Sequence, residues 1–153
     1  MTPLAPPRHP LVTEALTLAR DWCAGHIIDG APALAHAVRV ACKLVEHLPA
    51  AGPELISAVL LHDAPYFAPA GINLDVTLTT RLSKEVARIV RAIEREHIAL
   101  GSNHDPDLPT DDPATLTASA ADKIVSISSI LSRAANAAHP AAYWHTRTAF
   151  ITR

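Results

Sequence analysis

The sequence predicts an all-α fold, on three observations. Period-two alternation of apolar and polar residues is nearly absent. The apolar content is dominated by Ala and Leu, which favour helix. Apolar residues recur at three- and four-residue spacing between Pro, Gly and Asx punctuation, which divides the chain into about six helices. The first is expected over 10–24, with Leu11, Ala15, Leu18 and Trp22 on one face and Gly25 as its stop. The second, over 32–48, places Val38, Ala41, Val45 and Leu48 at helical spacing. The third starts near Pro53, carries Leu55, Ile56, Val59 and Leu60, and must end near Asp63 or Ala64, because Pro65 disfavours helix in the residue before it. Residues 65–79 read as an ordered loop with a weak strand at Val76–Leu78. A fourth helix, capped by Thr79 or Thr80, runs over 81–98 and buries Leu82, Val86, Ile89, Val90 and Ile93. Asp112-Pro113 is a cap and first-turn pair opening a fifth helix that ends near Asn136. Pro140 opens a last helix with Tyr143 and Trp144.

The 153 residues suit a single domain, expected over 1–153 with a flexible Pro-rich start at 1–9. Hydrophobic residues make up 49% of the chain and charged ones 18%, a balance that argues against disorder. A net charge of −2 offers no general attraction to a nucleic acid polymer or an anionic membrane, and no apolar run is long enough to span a bilayer. Cys23 and Cys42 lie in apolar-periodic stretches without CxxC spacing, so both are expected as buried free thiols, which fits a cytoplasmic protein.

Between Thr115 and Leu131 the fifth helix carries only two charges, Asp122 and Lys123, so most of its circumference is expected to be buried. An ionised Asp there needs a partner: an Arg, backbone amides or a cation. The third helix ends on His62-Asp63, where the negative end of the helix dipole favours a cation. These two side chains point about 100° apart, so one ion could meet both only at the helix edge. His36 lies near the start of the second helix; alone it reads as a core histidine. Taken together, His36, His62, Asp63 and Asp122 form a mixed nitrogen and oxygen donor set, suited to Mn, Fe, Co, Ni or Zn rather than Ca or Mg.

The order His36, His62-Asp63, Asp122 resembles the HD superfamily of metal-dependent phosphohydrolases. It is most similar to the small single-domain form of the RelA/SpoT-type branch that hydrolyses (p)ppGpp. GAPALAHAVRVA (30–41) is similar to that branch's GxPxxxHxxxVA segment, LLHD (60–63) matches its LLHD, and AADKIVSI (120–127) resembles its ADRLHNM. Tyr143-Trp144 and Arg147 are loosely like its C-terminal helix. The gaps also fit, 26 residues from His36 to His62 and 59 from Asp63 to Asp122. The resemblance implies a helical HD domain with one divalent ion near its centre, Mn first, held by His36, His62, Asp63 and Asp122. It implies a metal-activated water aimed at the phosphorus of a nucleotide or other small phosphate ester, with Asp63 also counted among the catalytic residues.

The chain departs from this pattern where the branch carries its catalytic Glu-Asp pair, three and four residues after the HD Asp. Tyr66 and Phe67 stand there instead, and neither can serve as a carboxylate base. The branch's Asn after the last metal Asp aligns with Ser126. His97 continues the apolar stripe of the fourth helix and is the replacement base we consider; the plainer reading is that it only ends that helix. Glu94 and Glu96, with Arg91 and Arg95, read as a solvated charged face. For substrate we consider Tyr66, Arg39, Lys123, Ser126 and His26. His104 with Asp105, Asp107, Asp111 and Asp112 reads as a solvated acidic loop. The leading expectation is a metal-dependent phosphohydrolase acting on a small phosphorylated substrate, possible as a homodimer. The alternatives are an HD domain that binds a nucleotide or protein partner without turnover, and an HD-type di-iron oxygenase drawing further ligands from His97 and His104.

Overall fold

A computed structural model describes residues 5, 7–102, 104, 111–138 and 141. The element order is α1 Pro10–Trp22, β1 Ile27–Ile28, β2 Ala31–Pro32, α2 Ala33–His47, α3 Pro53–Leu60, α4 Ala64–Phe67, α5 Leu74–Arg81, α6 Lys84–Gly101 and α7 Pro113–Ala135. The all-α expectation holds, with seven helices among the described residues and one two-residue antiparallel hairpin that pairs Ile27 with Pro32 and Ile28 with Ala31. The last helix expected from Pro140 lies outside the described residues, apart from residue 141. No helix among the described residues is long and apolar enough to cross a membrane.

α3 is the hub. It packs against α1, α2, α6 and α7, and Ile56 to Leu61 are buried without a break. A helix buried all round needs neighbours on every side, and these supply them. Val12, Ala15, Leu16, Leu18, Ala19 and Trp22 of α1, Val86, Ile89, Val90 and Ile93 of α6, and Ala118, Ala121 and Val125 of α7 complete a single core.

Four sequence expectations need correction. Residues 65–79 are neither an ordered loop throughout nor a strand at Val76–Leu78. They contain the short α4 and the eight-residue α5. Asn73 caps α5 by accepting the Val76 amide at 3.1 Å, and Leu74 and Leu78, one turn apart, are buried against the core. Thr79 and Thr80 therefore lie inside α5, and Ser83 caps α6 instead, its hydroxyl accepting the Val86 amide at 3.2 Å. On α2 the buried face is Ala33, His36, Ala37, Val40, Ala41 and Leu44, not the stripe through Val38, Val45 and Leu48. That rotation leaves Cys42 exposed while Cys23 is buried. α7 is less enclosed than expected, since Ile124, Ile127 and Leu131 are exposed.

α7 follows ordinary capping chemistry at its start. Asp112 caps α7 as expected, accepting the Thr115 amide at 3.2 Å. It also pairs with Arg88 of α6, so it is a structural cap rather than part of a solvated loop. His104 and Asp111 are exposed, and Asp105 and Asp107 lie outside the described residues.

Candidate metal centre

His36 projects from the first turns of α2, Asp122 from the middle of α7, and His62 and Asp63 from the turn that leaves α3. α3 ends at Leu60, so the His-Asp pair sits just past the helix rather than in its last turn. Leaving the helix frees both side chains from the angular separation that helical geometry would impose on them.

The donor atoms converge. His36 Nε2 lies 3.2 Å from His62 Nε2 and 3.1 Å from Asp122 Oδ1, and His62 Nε2 is 3.5 Å from the same oxygen. Asp63 Oδ2 stands beside this trio, 3.2 Å from His62 Nε2 and 4.0 Å from His36 Nε2. His36, His62 and Asp122 are buried, and their three donor atoms could hold one metal ion. The spacing fits that use. Ligand atoms roughly 2.0–2.2 Å from one ion stand about 3.0–3.5 Å from each other in tetrahedral or octahedral geometry. Asp63 Oδ2 is buried without a hydrogen-bond partner, a costly state that a cation would relieve.

The tautomers agree with this reading at His62. Its Nδ1 is 2.7 Å from the Val59 carbonyl. A carbonyl only accepts, so Nδ1 carries the proton, and in the neutral ring Nε2 keeps its lone pair toward the centre. His36 Nδ1 is buried without such a partner. In the metal-free protein, burial alone would lower the His62 pKa, but the Asp63 and Asp122 carboxylates outweigh it and raise it to about 9. Burial pushes the Asp122 carboxyl up, yet hydrogen bonds from His36, His62 and His97 hold it far below the usual carboxylate range. The two directions describe one interaction: without a metal, a protonated His62 imidazole is held against the carboxylates.

The remaining candidates fall into three groups. Three touch Asp122. His97 Nε2 is 3.1 Å from Oδ2, Lys123 Nζ is 3.2 Å from Oδ2, and the Ser126 hydroxyl donates to Oδ1 at 3.3 Å. Tyr66 and Phe67 of α4 stand against histidine rings. The half-exposed Tyr66 ring lies nearly parallel to His97 at 6.3 Å, and Phe67 stacks on His26 at 4.4 Å. Burial, then Glu94 and Asp63, push the Tyr66 hydroxyl pKa up. Arg39 is exposed on α2 and makes no described contact with the cluster.

Glu96 is the residue that sequence reasoning missed. It is buried, not part of a solvated face; it accepts a hydrogen bond from Ser119 at 2.8 Å and pairs with Lys123 at 3.2 Å. The signal was its place three residues after Ile93 and seven after Ile89, on the buried stripe of α6.

Comparison of the chain with family models, with curated proteins and with solved structures yields no significant match.

Proposed function

We propose that this chain is an HD-type metal-dependent phosphohydrolase acting on a nucleotide or another small phosphate ester. The observation that carries the reading is the buried meeting of His36, His62 and Asp122, with Asp63 beside them, at spacings that suit one transition-metal ion. When bound, a divalent ion supplies Lewis acidity, lowering the pKa of water and polarising a phosphoryl oxygen.

The chain's own groups would manage the proton and the substrate. A carboxylate only accepts, so His97 donates its Nε2–H to Asp122, and the lone pair of the neutral ring lies on Nδ1. His97 is thus oriented by an acidic partner, with Nδ1 as the nitrogen that takes a proton from the attacking water. Tyr66, half-exposed and beside His97, is placed to donate to a phosphate oxygen or to stack on a base. Ser126 donates to Asp122 Oδ1, the oxygen that His97 does not contact. With Tyr66 and Phe67 in place of a Glu-Asp pair, we favour a phosphate ester other than (p)ppGpp.

A second reading has one observation in its favour. α4, next to the centre, carries no carboxylate, so a domain that binds a phosphorylated ligand without hydrolysing it is the alternative. The deciding experiment loads purified protein with Mn²⁺ and assays release of phosphate or pyrophosphate from a panel of nucleotides and phosphate esters that includes ppGpp, beside His62→Ala. Turnover by wild type alone supports the enzyme. Bound metal and saturable nucleotide binding without turnover support the binding domain. A chain that takes up no metal overturns the enzyme, and one that binds no nucleotide either overturns both.

A further inference from the structure

We infer that Glu96 is a positioning residue for the metal centre: it shares the Lys123 ammonium with Asp122, and so leaves Asp122 the negative charge with which it would hold the ion. The inference rests on the metal reading above and adds a role for a buried carboxylate that the reading leaves unused. Asp122 turns Oδ1 to His36 and His62, at 3.1 and 3.5 Å. Its Oδ2 meets His97 Nε2 at 3.1 Å and Lys123 Nζ at 3.2 Å. Lys123 Nζ lies equally close, at 3.2 Å, to Glu96 Oε2. Two consecutive residues of α6 thus act on one carboxylate, His97 directly and Glu96 through Lys123.

Glu96 is a costly residue to place here. Its side chain is 4% exposed and lies on the buried stripe of α6, where an apolar residue would need no partner. Both groups that compensate it come from one face of α7, four residues apart. The Ser119 hydroxyl donates to Oε1 at 2.8 Å, and Lys123 stands at Oε2. What the carboxylate does follows from charge. Without it, Asp122 and Lys123 would form a closed pair of net charge zero, with the ammonium drawing on the same carboxylate that the ion needs. With it, Asp122, Glu96 and Lys123 sum to −1, and attraction for a cation survives beside a fixed ammonium. Partners that stand behind a metal ligand typically carry about 10–100-fold in metal affinity.

The test is a Co²⁺ titration of metal-free protein, read by the visible absorption of bound cobalt. Thermal melts without metal establish that each variant is folded. Glu96→Gln, which still accepts from Ser119, should weaken Co²⁺ binding by about 10–100-fold relative to wild type. Adding Lys123→Met to it should recover most of that loss, because the unmatched ammonium is then gone. Glu96→Met provides a second neutral variant should the Gln form fail to fold, with the same expected loss and the same recovery. Wild-type cobalt affinity in a folded neutral variant, or a loss that Lys123→Met does not recover, overturns the inference and leaves the metal reading standing. No cobalt on wild type removes both.

Discussion

The Nδ1–H of His62 meets the Val59 carbonyl at 2.7 Å, and this one bond turns the opposite nitrogen of the ring toward His36 and Asp122. Val59 belongs to the buried hub helix α3, so the donor atom is aimed by the most enclosed part of the core. Metal binding should accordingly stabilise the whole fold rather than a loop. We expect Mn²⁺ or Co²⁺ at a hundredfold over its Kd to add about 2.7 kcal/mol to wild type, and nothing to His62→Ala. Thermal melts of metal-free protein with and without the ion measure this. Equal shifts in both proteins would count against His62 as a ligand.

Asp112 links α7 to α6 by capping the Thr115 amide and pairing with Arg88. The Arg88 guanidinium, followed by the Thr115 bonds and opposed by burial, holds the Asp112 carboxyl well below its ordinary value of 3.8. A carboxylate depressed in the folded state stabilises above its unfolded pKa, and that contribution is lost as pH falls toward the folded one. Asp112→Ala should cost about 1 kcal/mol or somewhat more at neutral pH. The gap from wild type should narrow as pH drops below about 4. Urea unfolding of both proteins at neutral and acid pH tests it. A gap that widens in acid would contradict the assignment.

α5 was hidden in the sequence because Pro65, Pro69 and Gly71 suggest an ordered loop, and Val76 with Thr77 favours strand by propensity. What outweighs them is tertiary: Leu78 is fully buried and Leu74 nearly so, with α5 packed against α6. Leu78→Ala should therefore destabilise by about 2–5 kcal/mol, the range for a buried leucine. Val76→Ala, on the exposed side, should change stability by less than about 0.5 kcal/mol. Chemical denaturation of the pair distinguishes the helix from a surface loop, in which both changes would be mild.

The same residues show why some features were legible and others not. His36, His62, Asp63 and Asp122 could be chosen because each is a polar residue in an apolar stretch, and burial makes such residues conspicuous. The face of α2 was misread because two stripes, one through Val38 and Val45 and one through Val40 and Leu44, are both apolar. Only packing against α3 and α7 selects the one that carries His36 inward. The hairpin did have a local signature. Asp29 and Gly30 both take positive φ, 55° and 76°, and Asp-Gly is the pair that a tight two-residue turn favours. Glu96 carried a signal in its place on the buried stripe of α6, but what satisfies its charge there, Lys123 and Ser119, comes only from the packing of α6 on α7.

His97 offers the sharpest test of the proposed chemistry, because its bond to Asp122 predicts different effects for different replacements. His97→Gln keeps a donor that can reach Asp122 Oδ2 but has no basic nitrogen, and His97→Ala keeps neither. If the ring handles the proton at Nδ1, both variants should lose about 10²–10⁴-fold in kcat on a substrate that wild type hydrolyses. The Gln form should bind metal as wild type does, while the Ala form leaves the Asp122 oxygen with one donor fewer and should bind it differently. Metal content measured beside kcat separates the two roles. Full activity in the Gln form would reduce His97 to an orienting partner of Asp122, and the proton would then have to leave through solvent or Tyr66.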